Sequence, residues 1–226
     1  MGAARLLLIL AAPLLFASCL LTPGKFVSTL DIKRDRAFTF TYAGEVIIAD
    51  PGNAVTGGFA EAMRSETEGD GVDEQETAPS EETEATVAER RAIAEALSNE
   101  VGYRSAEYLG DGKFRVDYAI SGRLDRGFVY PVNVDAEAVI PWIAVEVRKD
   151  GTARVKALAF GGEPGPPRPG DRPDKASLER EGTFTLTTDA RLVMHNNEDG
   201  AEGSKVVWRV TPTSKTVPTA VVGFAD

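Results

Sequence analysis

The chain has a single cysteine, Cys19, and a single histidine, His195, among its 226 residues. One cysteine cannot close an intrachain disulfide, so the fold must rest on its buried core. A zinc site takes three or four histidine, cysteine or carboxylate ligands, and this inventory does not favour one. A Gly-x-Ser-x-Gly turn and a glycine-rich phosphate loop are also missing from the sequence. We therefore expect no catalytic centre, no cofactor and no metal.

Positive charge is scarce and negative charge is concentrated. The formal net charge is −10, and residues 65–89 hold ten carboxylates with no lysine or arginine. That stretch carries the whole net charge, and the remaining residues sum to about zero. Binding to nucleic acid needs a clustered basic face, so we expect no nucleic-acid partner.

The N-terminus has the pattern of a secretory leader. Arg5 supplies a positive charge, Leu6 to Phe16 form an apolar run of 11 residues, and Ala17 and Ser18 are small. An apolar run of this length suits a signal peptide, because a membrane-spanning helix needs about 20 residues. We predict a signal peptide over residues 1–18.

The four residues Phe16-Ala17-Ser18-Cys19 resemble the lipobox of bacterial lipoproteins, with Phe16 where leucine is preferred. The resemblance implies cleavage between Ser18 and Cys19 and acylation of Cys19 by chains of the palmitate type. It implies an exported protein that is anchored in the cell-envelope membrane on its periplasmic side. Leu20 after the cysteine favours the outer membrane. The alternatives are secretion with a free thiol and an uncleaved anchor.

The remaining chain reads as strands in pairs. Residues 19–25 are predicted as a tether, and 26–226 as a single α+β domain. Alternation at 26–32 and 37–48 predicts a hairpin, with the aromatic residues of the second strand on one face. The Asp111-Gly112 tip predicts a second hairpin, and Asp150-Gly151 a third. Strands are also expected near 182–188, 190–194 and 205–210, while 216–224 fits a strand or a helix.

Two segments break this regularity. Residues 50–85 are acidic and almost without apolar side chains, so they are predicted to be a disordered insertion. Residues 161–175 are rich in proline and glycine and are predicted to be an extended loop.

One helix is expected after the insertion. Thr86 and Glu89 have the spacing of a capping box, Val87, Ala94 and Leu97 follow with helical spacing, and Gly102 closes the run. The predicted fold is therefore an antiparallel sheet of successive hairpins with one amphipathic helix packed on it. A helix-grip arrangement is one form that it could take.

The opening hairpin behind Cys19, residues 185–189, and Asn196, Asn197 and Trp208 together resemble the LppM-type bacterial lipoproteins. The resemblance implies an antiparallel α+β domain comparable to lipid-binding folds, and it brings no catalytic residues.

Three functions are open. The first is a binding module that takes a lipid or another amphiphile in a groove lined by Tyr118, Trp142 and Trp208, although the ordinary interpretation of these rings is that they fill the core. The second is a scaffold that docks envelope proteins through sheet edges or the acidic tract. The third is a glycan-active enzyme using Glu107 and Asp117, which would need both carboxylates in one groove.

Overall fold

The structure is a computed structural model that describes residues 20–49, 82–131, 141–162 and 179–224. The predicted signal peptide 1–18, Cys19, residues 50–81 of the predicted insertion and residues 163–175 of the predicted loop lie outside the described residues. The division of the chain into these segments therefore stays a prediction.

The described residues form eleven strands, one α-helix and one short 3-10 turn. In chain order they are β1 (Leu20–Ile32), β2 (Ala37–Ala49), α1 (Glu84–Ser98), β3 (Tyr103–Gly110), β4 (Lys113–Arg123), β5 (Phe128–Tyr130), β6 (Ile143–Val147), β7 (Thr152–Lys156), the 3-10 turn (Leu158–Phe160), β8 (Glu181–Thr188), β9 (Arg191–His195), β10 (Lys205–Val210) and β11 (Thr219–Gly223).

The strands make two sheets, which corrects the single sheet expected from the sequence. One has six strands in the order β10-β8-β1-β2-β4-β3, and the other has five in the order β5-β6-β7-β11-β9. The α+β class, dominated by sheet, is confirmed. The sheet is not purely antiparallel, because β8 runs parallel to β1. A parallel pair needs a crossover, and the chain makes it by building β5, β6 and β7 in the second sheet before it returns.

The core lies between the two sheets and is largely aromatic. Phe38, Phe40 and Tyr42 all point from β2 into the core, as the alternation predicts. The ring of Phe40 lies 4.9 Å from that of Tyr130 and 5.4 Å from that of Phe128, both in the second sheet. Aromatic pairs at these distances add to the stability gained from burial alone. The same alternation leaves the other face of the six-stranded sheet to solvent.

The helix starts earlier than its sequence pattern indicates. Thr83 is the N-cap, and its hydroxyl accepts a hydrogen bond from the backbone N–H of Thr86 at 3.2 Å. Thr86 is therefore inside the first turn and is not the cap. The helix packs beside β3 at the edge of the six-stranded sheet, where the Ser98 hydroxyl accepts from the N–H of Ala106 at 3.0 Å. Within α1 only Ala94 is fully buried. The helix ends at Ser98, so Val101, which continues the helical spacing in the sequence, lies beyond it.

Three strand assignments differ from expectation or resolve it. The sequence of residues 128–130 predicts irregular structure, but these residues form β5 at an edge of the second sheet. Pro141, just before β6, predicts that β6 begins at a sheet edge, but β6 lies inside the sheet between β5 and β7. The ambiguous segment 216–224 contains β11, which pairs with both β7 and β9. A strand between two partners satisfies its backbone groups on both sides, which favours the extended conformation here.

Candidate interaction surfaces

The two ends of the six-stranded sheet differ in what they carry. β1 begins at Leu20, directly after Cys19, and Leu20 pairs with Ala49 and Leu21 with Ile48. The structure therefore places residues 20–25 in the sheet, where the sequence predicted a tether. Pro23 lies within β1, and a shift of register between Pro23 and Phe26 accommodates it. The thirteen residues of β1 span roughly 40 Å from this end to the other.

A carboxylate clamp sits at the Leu20 end of the sheet. The carboxylate of Glu82 accepts hydrogen bonds from the Tyr108 hydroxyl and from the Arg90 guanidinium. It also accepts from the backbone N–H groups of Asp111 at 3.3 Å and Gly112 at 3.2 Å. Partial desolvation acts to raise the pKa of Glu82, but the bond from Tyr108, the charge of Arg90 and the two N–H groups outweigh it and lower that pKa. Glu82 is thus held in its charged form.

The clamp also holds the residues on both sides of segment 50–81 close to each other. The N–H of Ile48 donates to the carbonyl of Gly112 at 2.9 Å, while the N–H of Gly112 donates to Glu82. Both flanks of that segment are therefore bonded to the same residue at the β3–β4 tip. Residues 82–85, counted in the predicted insertion, instead form the clamp and the start of α1.

The three aromatic residues predicted to line a groove lie in the packed core. Tyr118, Trp142 and Trp208 are 7%, 2% and 7% exposed. Tyr118 lies 4.6 Å from the ring of Tyr130, and Trp142 lies 5.9 Å from that same ring. Trp208 is elsewhere, stacked on Phe184 at 5.5 Å. Burial raises the pKa of Tyr118 and raises that of Tyr130 well above its usual value, so both stay neutral. These rings fill space between the sheets.

Trp142 also carries a polar contact to the Leu20 end of the molecule. Its indole N–H donates to the carbonyl of Leu21 at 3.0 Å. A buried indole N–H needs such a partner, and here it joins the start of β6 in one sheet to the start of β1 in the other.

Asn196 ties together strands of both sheets. Its side-chain oxygen accepts from the Trp208 indole N–H at 3.2 Å and from the Thr219 N–H at 2.8 Å. Its side-chain N–H₂ donates to the carbonyl of Val217 at 2.8 Å. The neighbouring His195 accepts a hydrogen bond at Nδ1 from the N–H of Asn197. It is the last residue of β9 and has this local, structural bond, so nothing in its geometry indicates a catalytic base.

The two carboxylates considered for glycan chemistry are both exposed and both paired with arginine. Asp117 lies 3.7 Å from Arg104, and Glu107 lies 3.8 Å from Arg115. Since exposed pairs of this kind are common on solvated sheet faces, the geometry does not favour catalysis by these residues.

At the far end of β1 lies a pocket that the sequence reasoning did not identify. We call it the distal pocket; its cavity is about 450 Å³, and it is lined by Arg34, Asp189, Ala190, Arg191, Gly223 and Phe224. Its residues come from the β1–β2 turn, the β8–β9 bend and the end of β11. The sequence signals were the basic turn 33–36 and Asp189, but nothing in the sequence alone brings these segments together.

Residues 20–49, 82–131, 141–162 and 179–224 contain no group of three or more histidine, cysteine or acidic side chains placed to hold a metal ion. In the same ranges no helix has the length and apolar character that crossing a bilayer requires.

Comparison with known proteins gives a distant likeness. No model of a protein family matches the chain, and no curated protein matches it. A solved structure that is similar is the NMR structure of the folded domain of LppM from Mycobacterium tuberculosis, with 11% identity and a TM-score of 0.34. The likeness covers 91% of this chain and 92% of that one. A likeness of this strength does not assign a family.

Proposed function

We propose that this chain is an exported, non-catalytic bacterial lipoprotein that is held in the cell-envelope membrane through an acylated Cys19. Its domain serves as an interaction module on the periplasmic side, and Leu20 favours the outer membrane. The observation that carries the proposal is the direct passage from the lipobox-like residues 16–19 to a paired strand at Leu20. Cleavage before Cys19 would leave a mature chain in which the acylated cysteine is followed directly by a paired strand.

Because the paired strand β1 begins directly after Cys19, the position of the anchor determines which end of the domain would lie at the membrane. Acyl chains on Cys19 would lie in the bilayer, and several chains together hold a protein stably. Because β1 is paired from Leu20 onward, the end of the sheet that carries the Glu82 clamp would then rest at the membrane surface. The distal pocket would stand away from it, by a height of up to roughly 40 Å if the strands are upright.

The scaffold form of the proposal is better supported than an amphiphile-binding groove between the sheets. The rings predicted to line that groove contact one another and their neighbours across the core. A ligand there would have to displace packed aromatic side chains, at a cost of several kcal/mol for each large side chain displaced. Surfaces at the two ends of the sheet need no such displacement.

The anchor is tested by comparing Cys19→Ser with Ser18→Ala in a bacterial host. Cys19→Ser removes the sulfur that is acylated, so we expect loss of incorporated palmitate and release from the membrane fraction. Ser18→Ala keeps a small residue beside the cleavage site and leaves the cysteine, so acylation should persist. Equal palmitate incorporation and membrane retention in both variants would refute the proposal.

The orientation is tested with a fluorophore on Leu109→Cys or on Lys149→Cys, in vesicles containing brominated lipid. Leu109 is exposed beside the β3–β4 tip, and Lys149 is exposed in the β6–β7 turn at the other end. Quenching should be strong at residue 109 and weak at residue 149. The reverse pattern, or equal quenching, would contradict an upright domain while leaving the acylation result unaffected.

A further inference from the structure

We propose that the distal pocket binds a small phosphate-bearing anion, with Arg34 and Arg191 holding the phosphate and Phe224 forming an apolar wall. This goes beyond the anchored interaction module proposed above, and the binding itself does not depend on acylation of Cys19. A cavity of about 450 Å³ is in the usual range for small-molecule sites, roughly 300 to 1,000 Å³.

Arg34 is held in place by bonds to Asp189. Its backbone N–H donates to Oδ1 of Asp189 at 2.5 Å, and its Nη2 donates to the carbonyl oxygen of Asp189 at 3.1 Å. These contacts use one N–H of the guanidinium, which has five. Within the described residues no carboxylate lies within 4 Å of this guanidinium, so donors remain for a ligand. The arginine is both positioned and chemically available.

Arg191 is placed by the glycine beneath it. A Cβ built on Gly223 would lie 3.3 Å from both Nε and Nη2 of Arg191, so the guanidinium lies against the backbone of β11. No ion pair to Arg191 is found among the described residues. Arginine forks of this kind match the geometry of phosphate oxygens.

The third arginine at this end is Arg36, which has an unusual backbone. Its φ is +72°, in the left-handed region that disfavours residues with a Cβ. Its guanidinium lies 5.1 Å from the centre of the Phe224 ring. This conformation closes the β1–β2 turn, in which the N–H of Arg36 donates to the carbonyl of Lys33 at 2.9 Å. The turn places the Arg36 cation against Phe224, which lines the pocket.

The other charges around the pocket largely balance each other. Lys33 pairs with Asp31 and Arg123 pairs with Asp125. The carboxylates of Asp35 and Asp150 accept from backbone N–H groups of their own turns. Those two carboxylates keep their charge, so Asp35, Asp150 and Asp189 balance Arg34, Arg36 and Arg191. What this end offers an anion is therefore the guanidinium donors at the pocket and not a net positive charge. With the anchor in place, a lipid headgroup of the protein's own bilayer would lie too far away, which favours a small anion in solution.

The test is calorimetric titration of the detergent-purified full chain with phenyl phosphate and with inorganic phosphate. We expect phenyl phosphate to bind, and to bind more tightly than inorganic phosphate because of the Phe224 wall. Arg191→Ala and Arg34→Ala should each weaken binding tenfold or more. Arg209→Ala, which removes an exposed arginine on β10 away from the pocket, should leave it unchanged.

The variant Arg36→Gly distinguishes an effect on ligand binding from an effect on the stability of the fold. Glycine adopts positive φ freely, so this variant should keep its thermal unfolding midpoint while binding phenyl phosphate several-fold more weakly. Affinity unchanged in Arg191→Ala, or lost equally in Arg209→Ala, would overturn the site. Equal affinity for the two probes would overturn the apolar wall. Binding to phosphatidylglycerol vesicles without binding to phenyl phosphate would show a lipid-surface contact and would overturn the small-anion proposal.

Discussion

Replacing Asn196 with alanine should destabilise the domain more than any exposed polar substitution of similar size. The change removes three hydrogen bonds. It leaves the Trp208 indole N–H and the Thr219 N–H without this partner, whereas the Val217 carbonyl still accepts from the Thr219 hydroxyl at 3.0 Å. An unpaired buried polar group costs about 1 to 3 kcal/mol, and losing a hydrogen bond whose acceptor keeps another partner costs about 0.5 kcal/mol. Asn196 is half-buried, so the low end of that range applies to the two unpaired groups, and we expect a loss of about 2.5 kcal/mol in total.

Two comparison variants make the result interpretable. Asn196→Asp keeps an acceptor for Trp208 and Thr219 but loses the donor to Val217, so it should cost less than Asn196→Ala. Asn99→Ala removes one exposed bond, from Nδ2 to the carbonyl of Glu95, and should cost less than about 1 kcal/mol. Urea unfolding followed by tryptophan fluorescence gives the free energy of unfolding of each variant. An Asn196→Ala variant within about 1 kcal/mol of the original chain would refute the reasoning, because water would then be replacing the lost partners.

Two further predictions concern the Leu20 half of the sheet. A Cβ on Gly44 would lie 2.4 Å from the carbonyl oxygen of Lys25, so Gly44→Ala should lower the free energy of unfolding by about 1 to 3 kcal/mol. The control is Gly203→Ala, whose Cβ would have no atom within 4 Å, so it should cost only the strain of its positive φ. Equal unfolding midpoints for the two variants in a thermal melt would contradict the close approach at Gly44. The lowered pKa of Glu82 means that its stabilising contribution is complete above the ordinary value of 4.5 and is lost as the pH falls through the lower folded-state value. The stability difference between the original chain and Glu82→Gln should therefore shrink below about pH 4.5, and a difference that stays constant from pH 7 to pH 3 would count against the clamp.

The strands were predictable because a strand repeats every two residues. Phe26, Leu30 and Ile32 share one face of β1 and are all buried, and the same holds for the aromatic residues of β2. The β3–β4 tip was also predictable, since Asp111 and Gly112 both take the positive φ that the sequence indicates. The helix was predictable in kind, but its cap was misplaced by three residues. Thr83 and Thr86 are both favoured N-cap residues, and only Thr86 is followed by a glutamate three positions on.

Burial of an aromatic residue does not say whether it fills a core or lines a cavity. Tyr118, Trp142 and Trp208 stand on apolar faces of their segments, and the sequence supports both interpretations. The distinction depends on what the folded chain places against each ring. Tyr130 of the five-stranded sheet lies against Tyr118, Tyr42 of the six-stranded sheet lies against Trp142, and Phe184 of the neighbouring strand lies against Trp208.

The sequence by itself determined the local structure: the strand alternation, the turn at the β3–β4 tip, the existence of one helix and the separation of an acidic segment from a nearly neutral body. Only the tertiary structure decided that there are two sheets, that β8 lies parallel to β1, and that Glu82 and the distal pocket lie at opposite ends. The reason is sequence distance. Alternation and turn chemistry act between residues a few positions apart, whereas the bond from Arg34 to Asp189 joins residues 155 positions apart. No local pattern carries that information, because the contact exists only after the sheets have packed.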